Sequence, residues 1–319
     1  MNTTLVYVLV SKPTDNYYEQ TLISAWSARH WNPDMNIQLV VDELTDATLK
    51  DKRTALTKIV DEKIVIDLSV GGTAKYTNKE RSRMLKTNLR SYVRGDILYI
   101  DSDTVVCGTL KEIDLLKCEI GAVYDGHRLF DPIHFYDVVQ RANTLGYDVT
   151  GANDYFNSGV LYMKDTPNVQ DFMSAWHSLY MQGQLKGMSY DQPSLLAVNM
   201  TQKMILPIDG IYNCQILNGG LPFLAEAKII HAYNAFGNSP FYGLTDPAFY
   251  KKIKEQGVLG EDDILKILSA KRQFVGEYYL VYGDNLPYWH SSLRHLYLDS
   301  PKQFKFLEFL SRIFRTFIK

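Results

Sequence analysis

The first seventy residues alternate between strand-like and helix-like segments, and this alternation restricts the fold more than any other feature. The segments 4–10, 36–42 and 62–68 are apolar and rich in β-branched residues, as is typical of buried parallel strands. Between them, 16–30 and 45–60 have helical spacing. Strands that alternate with helices in this order predict an α/β fold with a parallel sheet covered on both faces.

The next predicted strand, 96–101, follows a helix at 78–93 and ends in two carboxylates. The stretch "ILYIDSDTVV" (97–106) is apolar up to Asp101, and Asp103 follows after one serine. Ligands of such sheets bind at the carboxyl ends of the strands, so these carboxylates are expected at a ligand site.

Three explanations of the two carboxylates are open. Asp-Ser-Asp is common in solvated turns, because these side chains bond to the local backbone. A phosphatase of the haloacid dehalogenase type would use Asp101 as its nucleophile, but in those enzymes this motif normally lies on the first strand. They also carry a late G-D-x-x-x-D loop, and the candidate here, "YGDNLPYW" (282–289), lacks the second Asp of that loop. Two aspartates could instead hold a divalent cation that neutralises a sugar nucleotide diphosphate. This last explanation predicts a third ligand far along the chain.

Composition excludes several classes. With 46% hydrophobic residues and a net charge of -2 among 319 residues, the chain has the material for a sizeable core and no basic excess, so nucleic acid is not expected as a partner. Cys107, Cys118 and Cys214 are scattered, which disfavours zinc and disulfide frameworks and fits a reducing cytoplasm. No stretch approaches the roughly 18 apolar residues of a membrane span.

Three further motifs follow the aspartates in order: "DYFNSGVLYMK" (154–164), "YDQPSLLAVN" (190–199) and "AKIIHAYNAFGNSPF" (227–241). With these motifs the chain resembles glycosyltransferase family 8, the retaining enzymes that include glycogenin and bacterial lipooligosaccharide galactosyltransferases. The resemblance implies a GT-A fold with a Rossmann-like, mostly parallel sheet. It covers about the first 245 residues and predicts a GT-A catalytic domain at 1–245, followed by a helical region at 246–319.

The resemblance also implies site residues. Asp101, Asp103 and His231 would ligate Mn²⁺ or Mg²⁺, and Gln192 would lie under the anomeric carbon of a UDP-sugar. Asp191 would bind hydroxyls of the donor sugar, although an Asp before a helix is also a common N-cap. The remaining contacts expected with the nucleotide sugar are Val10, Ser11, Asp15, Asp42, Arg83, Lys86, Ser102, Asp125, Asn157, Asn234 and Gly237.

The part of the family pattern that contacts the diphosphate is altered in this sequence. Family members usually continue the histidine motif as H-x-x-G-x-x-K-P-W, with the lysine on the diphosphate. Here Asn234 stands at the glycine position, and Ser239, two residues farther along than the pattern requires, takes the place of the lysine before Pro240 and Phe241. Arg83 and Lys86 are expected to compensate, and a solvated basic helix face is the alternative. Front-face substitution and double displacement both stay open, but an amide oxygen of Gln192 is a poor nucleophile, which favours electrostatic stabilisation of an oxocarbenium ion.

The last segment, 301–319, has a basic amphipathic pattern. Its apolar residues recur at helical spacing, and it carries five basic residues against one acid, Glu308. This pattern is typical of a helix that lies on a membrane surface, and docking on its own domain or at a dimer seam is the alternative. The apolar residues are Phe306, Phe309, Leu310, Ile313, Phe314, Phe317 and Ile318.

Together these observations predict a metal-dependent, retaining hexosyltransferase. It would move glucose or galactose from a UDP-sugar to a saccharide or lipid-linked saccharide in bacterial surface glycan synthesis, such as lipopolysaccharide or capsule. We expect it in the cytoplasm, with peripheral contact to the inner face of the plasma membrane. The alternatives are the phosphatase and a catalytically weak UDP-sugar binder of the same fold.

Overall fold

Two β-sheets and ten α-helices make up the part of the chain that the structure describes. This computed structural model covers residues 1–68, 76–232, 244, 246–273, 296–297 and 299–317. The strands are, in chain order, β1 (Thr4–Leu9), β2 (Ile37–Asp42), β3 (Glu62–Ile66), β4 (Ile97–Ile100), β5 (Thr104–Val106), β6 (Ile120–Tyr124), β7 (Phe156–Met163), β8 (Ile205–Pro207), β9 (Cys214–Gln215) and β10 (Ile229–His231). The helices are α1 (Tyr17–Trp31), α2 (Glu43–Asp46), α3 (Asn78–Thr87), α4 (Tyr136–Leu145), α5 (Pro167–Leu185), α6 (Gln192–Gln202), α7 (Pro247–Gln256), α8 (Glu261–Leu268), α9 (Ala270–Gln273) and α10 (Pro301–Phe317).

The larger sheet has the strand order β3-β2-β1-β4-β7-β6-β8, and the smaller has the order β5-β10-β9. In the larger sheet β7 alone is antiparallel to its neighbours, β4 and β6. The amino-terminal end of β7 therefore lies at the same edge as the carboxyl ends of β1 and β4. The predicted α/β class with a mostly parallel sheet is confirmed.

The central strand β1 is buried on both faces, as its continuous apolar sequence predicts. Leu5, Tyr7 and Leu9 belong to one apolar cluster, whereas Val6 and Val8 belong to another. Because side chains of a strand alternate between faces, each cluster fills the space between the sheet and the helices on one side. This packing fixes the sheet edge at which β1 and β4 end.

The prediction of a helix at 45–60 is wrong. Only the four residues of α2 are α-helical there, followed by short 3-10 turns at Asp51–Arg53 and Leu56–Lys58. Asp51 has a φ of 53°, which interrupts a right-handed helix. Arg53 turns inward and donates to Ser11 Oγ at 2.7 Å, a tertiary contact that the polar pattern concealed. The helix predicted at 78–93 likewise ends early, at Thr87.

The helices after residue 245 share the core of the sheet. Phe249, Tyr250 and Ile253 on α7 pack in the same apolar cluster as Leu5 and Tyr7. The division of the chain at residue 245 stays a prediction. Among the described helices, none combines the length and the apolar character needed to cross a bilayer.

Candidate active site

A cavity of about 710 Å³ opens at the edge of the sheet where β1 and β4 end. Helices α3 and α4 and the start of α6 also contribute to its walls. Most of the predicted site residues that the structure describes lie on these walls: Val10, Asp15, Arg83, Lys86, Asp101, Ser102, Asp103, Asp125, Asn157, Asp191, Gln192 and His231. The sequence motifs therefore converge on one site.

Asp101, Asp103 and His231 form a compact group with the donor atoms of a metal site. Asp101 follows β4, Asp103 precedes β5, and His231 ends β10, which pairs with β5. One nitrogen or oxygen atom from each residue lies within 4.8 Å of those from the other two. Carboxylate oxygens suit Mn²⁺ or Mg²⁺, and imidazole is a common ligand of transition metals, so these residues fit the predicted divalent cation.

A neighbouring amide fixes the tautomer of His231. The amide nitrogen of Asn213 donates to Asn157 Oδ1 at 3.0 Å, so its oxygen Oδ1 faces His231 Nδ1, also at 3.0 Å. An amide oxygen only accepts, and therefore Nδ1 carries the hydrogen. Nε2, which lies 3.3 Å from Asp103 Oδ1, is then the nitrogen that a cation would use.

Asp103 and His231 shift each other's pKa through their opposite charges. Burial disfavours the charged form of His231, but the charge and hydrogen bond of Asp103, with the charge of Asp101, together outweigh burial and raise the pKa of the imidazole. Burial likewise opposes ionisation of Asp103, and His231 nevertheless lowers the pKa of that carboxyl. The site therefore keeps Asp103 as a carboxylate, the form that binds cations.

Gly159 explains why the "FNSG" motif ends in glycine. A Cβ placed at this position would lie 2.3 Å from His231 Cε1 and 2.9 Å from Asp101 Oδ2. Real Cβ atoms do not tolerate such short contacts. His231 and Asp101 can therefore approach this position so closely only because Gly159 has no side chain. The backbone oxygen of Gly159 also accepts from the Asp101 N–H at 2.8 Å.

Lys86 joins the metal group to Asp191. Its ammonium lies 3.4 Å from Asp101 Oδ1 and 3.2 Å from Asp191 Oδ2, and it donates to Ser158 Oγ at 3.0 Å. Arg83 Nε lies 3.2 Å from the other oxygen of Asp191. Burial opposes ionisation of Asp191, but Lys86 and Arg83 hold its pKa at about 2.

These contacts argue against two structural explanations that the sequence left open, an N-cap at Asp191 and a solvated basic face on the helix before β4. Asp191 occupies the N-cap position of α6, yet its side chain makes no capping hydrogen bond. The solvated basic face is wrong for α3 and the turn after it, because Arg81, Lys86 and Arg90 are all buried. Both basic residues predicted at the cavity, Arg83 and Lys86, instead point to carboxylates.

A chain of amides connects Gln192 with the metal group. Gln192 Nε2 donates to Tyr155 Oη at 2.9 Å and lies 3.4 Å from Asp125 Oδ1. Asn157 Nδ2 donates to the same oxygen of Asp125 at 2.7 Å, and Asn157 in turn accepts from Asn213. Burial raises the pKa of Asp125, partly offset by these hydrogen bonds. The side chains predicted around the donor sugar therefore form one connected network.

Two predicted contacts lie away from the cavity walls. Ser11 is buried and donates to Asp15 Oδ1 at 2.7 Å. Asp42 is 0% exposed, accepts from the Thr45 N–H and pairs with Arg81 at 2.5 Å, so its carboxylate holds α2 and α3 to the sheet. Asn234 and Gly237, with the altered end of the histidine motif, lie outside the described residues.

Sequence reasoning missed several residues of the site. Tyr99 donates to Asp101 Oδ1, and its position two residues earlier on the same strand face could have revealed it. Asn213 is remote in sequence from every motif, and no signal pointed to it. The other residues missed are Tyr155, Ser158, Arg141 and Tyr190.

Comparison with known proteins gives one family match. The family model described as glycosyl transferase family 8 matches residues 8–235, which contain the aspartates, the "FNSG" strand, the "DQ" helix start and His231. No curated protein sequence matches significantly.

Several solved structures are similar in fold. The galactosyltransferase LgtC, in complex with donor and acceptor sugar analogues, is 17% identical over 83% of this chain and 100% of its own, with a TM-score of 0.49. Mouse xyloside xylosyltransferase 1 in its apo form is 14% identical over 73% of this chain and 98% of its own, with a TM-score of 0.49. Apo GlyE of Streptococcus pneumoniae TIGR4 is 15% identical over 86% of this chain and 64% of its own, with a TM-score of 0.48.

Proposed function

We propose, from the premise that the chain belongs to glycosyl transferase family 8, that this glycosyltransferase depends on a divalent cation and uses a UDP-sugar. The observation that carries the proposal is the group of Asp101, Asp103 and His231 at the wall of one large cavity. Membership of this family also argues against the phosphatase alternative, because the activity of the family is glycosyl transfer. We infer glucose or galactose as the sugar and a saccharide as the acceptor.

Asp101, Asp103 and His231 would hold Mn²⁺ or Mg²⁺, whose positive charge would neutralise the departing diphosphate. Asn213 keeps His231 in the tautomer that presents Nε2. Tyr99 and Lys86 bond to Asp101 and restrict its orientation. The protein contributes a preorganised set of ligands, which lowers the cost of closing the site around the donor.

Lys86 and Arg83 supply the positive charge that the altered histidine motif lacks. Both are held in place by Asp191, whose low pKa keeps it ionised through the neutral range. Asp191 in turn can accept hydrogen bonds from hydroxyls of the donor sugar. This arrangement supports binding of a nucleotide sugar without the usual lysine.

Gln192 is oriented for electrostatic stabilisation. Its amide nitrogen faces Tyr155 Oη and Asp125 Oδ1, which leaves the amide oxygen for the positive charge that develops at the anomeric carbon. An amide oxygen stabilises such a charge more readily than it attacks carbon. We therefore favour front-face substitution, in which the sugar leaves and the acceptor attacks on the same side.

A thermal-shift screen of nucleotide sugars, with and without Mn²⁺, tests this proposal. We expect UDP-glucose or UDP-galactose to raise the melting temperature only when the metal is present. The release of UDP should then separate a transferase from a weak binder, which would bind without turnover. Equal stabilisation by every nucleotide, or by none, would count against the proposal.

We also propose that α10 contacts an anionic membrane surface, which would place the enzyme in the cytoplasm at the inner face of the membrane. The start of α10 docks on the enzyme, since Phe304 is buried against Tyr297 and Lys305 pairs with Glu226 at 2.6 Å. Farther along, apolar side chains are exposed: Phe306 (59%), Phe309 (58%) and Phe314 (62%).

An exposed aromatic stripe on a basic helix is suited to the interface of an anionic bilayer. Such a location fits a lipid-linked saccharide acceptor in surface glycan synthesis. Flotation with anionic vesicles tests the contact, and truncation after Asp299 should abolish it. A truncated protein that still floats would contradict the proposal, and a change in oligomeric state on truncation would instead indicate the dimer seam.

A further inference from the structure

Three cations surround the ring of Tyr190 at the cavity. Lys79 Nζ lies 5.0 Å, Arg83 Cζ 5.2 Å and Arg141 Cζ 4.0 Å from the ring centroid. Lys79 and Arg83 belong to α3, whereas Arg141 belongs to α4, so the ring stands between two walls of the cavity. Tyr190 as a residue is 39% exposed, so the group can be reached from solvent.

The positive charge of this group exceeds what the neighbouring carboxylates neutralise. Arg83 is paired with Asp191. In the part of the chain that the structure describes, neither Lys79 nor Arg141 forms a salt bridge. Burial lowers the pKa of Lys79, and the charge of Arg83 lowers it further.

Of the three cations, Arg141 lies on the side of the cavity away from the β1 end, where the nucleotide is expected. Along the sheet the order is β1, β4, β7, β6, and α4 lies in the connection between β6 and β7. Asp101 and Asp103 follow β4, so they lie between the β1 end and the α4 side. A diphosphate bound at those aspartates would leave Arg141 and Tyr190 facing the other reactant.

We infer that Tyr190, Lys79 and Arg141 form a subsite for an acceptor sugar that carries a carboxylate or a phosphate. The inference rests on the proposed function and specifies its acceptor class. A guanidinium stacked on an aromatic face still presents its N–H groups at the edge, where they bind planar carboxylates or phosphate oxygens. The Tyr190 ring holds Lys79 and Arg141 beside each other at the cavity wall.

Binding of two matched probes tests the inference. Methyl β-D-glucuronide and methyl β-D-glucoside differ only at C6, where the glucuronide has a carboxylate and the glucoside a hydroxymethyl group. Ligand-observed NMR gives their affinities for the full chain with Mg²⁺ and UDP. We expect the glucuronide to bind about 10-fold more tightly than the glucoside, as charge-assisted hydrogen bonds allow. Arg141→Gln should remove most of this preference, and Lys79→Gln, at an exposed position, should reduce it about threefold.

The control is Arg94→Gln, which removes an exposed charge outside the cavity and should leave the preference unchanged. Equal binding of the two probes to the wild type, or a preference that survives in both Gln variants, would overturn the inference. If Arg141→Gln instead weakens UDP by about 10-fold, the cations serve the donor. Failure of UDP to bind the wild type would refute the proposed function separately, and the ratio of the two probes is then read without UDP.

Discussion

At the scale of single residues, the candidate metal site depends on neighbours that hold its ligands. Asn213 accepts from His231 Nδ1, and Tyr99 donates to Asp101. Neither neighbour lies in the group that would bind the cation. Residues of this kind usually affect metal affinity without binding the metal themselves.

Replacement of Asn213 by Ala should weaken Mn²⁺ binding about 10-fold or more, because His231 loses the partner that fixes its tautomer. Titration of Mn²⁺ followed by electron paramagnetic resonance measures the affinity. Asn143→Ala, at an exposed position on α4, is the matched control. An Asn213→Ala protein with wild-type affinity would show that the amide has no role in the site.

Gly159→Ala should disrupt the site sterically, since the new Cβ would meet His231 and Asp101. We expect loss of measurable Mn²⁺ binding and a destabilisation of about 1–3 kcal/mol, as is usual for overpacking. Urea unfolding and the Mn²⁺ titration report the two effects. Gly151→Ala is the control, because a Cβ there meets nothing within 4 Å. If both variants behave alike, the close approach at Gly159 is not what the site requires.

At the scale of elements, the orientation of α3 determines where Arg83 and Lys86 lie. A capping box of Thr77 and Glu80 begins this helix. Arg81 then anchors it by pairing with Asp42 at the end of β2. Both partners are buried, so the helix that carries the cavity cations is fixed to the sheet edge beside β1.

Asp42→Ala should lower the free energy of unfolding by about 3–5 kcal/mol, because it leaves Arg81 buried without its partner. Denaturant unfolding measures the loss. Asp46→Ala, which breaks the more exposed pair with Lys63, should cost only about 0.2–1 kcal/mol. Similar costs for the two variants would mean that the Asp42–Arg81 pair does not anchor α3.

At the scale of the whole molecule, the sequence predicted the α/β class, the mostly parallel sheet and the place of the aspartates at its edge. Apolar runs with β-branched residues carry that information locally, as in residues 5–9. The roles of Asp42, Arg53 and Asn213 could not be predicted, because each depends on partners that are distant in sequence. The predicted helix at 45–60 failed for the same reason, since a buried arginine looks polar in any pattern.

Stability of the whole molecule should fall between about pH 6.5 and pH 4, in part because of His127. Burial lowers the pKa of this histidine to about 4, and its Nε2 accepts from the Gln215 N–H at 3.2 Å. The unfolded chain, with a pKa near 6.5, takes up the proton first, so acid favours unfolding. Because the side chain is partly exposed, we expect an effect of roughly 2 kcal/mol.

His127→Gln removes the titrating group and retains an acceptor, so its free energy of unfolding should vary less with pH across this window. Urea unfolding at several pH values between 4 and 7 measures the difference. A variant whose pH dependence matches that of the wild type would show that His127 is protonated equally in both states.

The central claim is that Asp101, Asp103 and His231 hold one divalent cation that makes UDP-sugar binding possible. Calorimetric titration of UDP into the wild type and into Asp103→Ala, each with and without Mn²⁺, tests it most directly. The account predicts binding to the wild type that is at least about 10-fold tighter with Mn²⁺, and no effect of Mn²⁺ on Asp103→Ala. Binding of UDP that is equally tight without metal, or unchanged in Asp103→Ala, would contradict it.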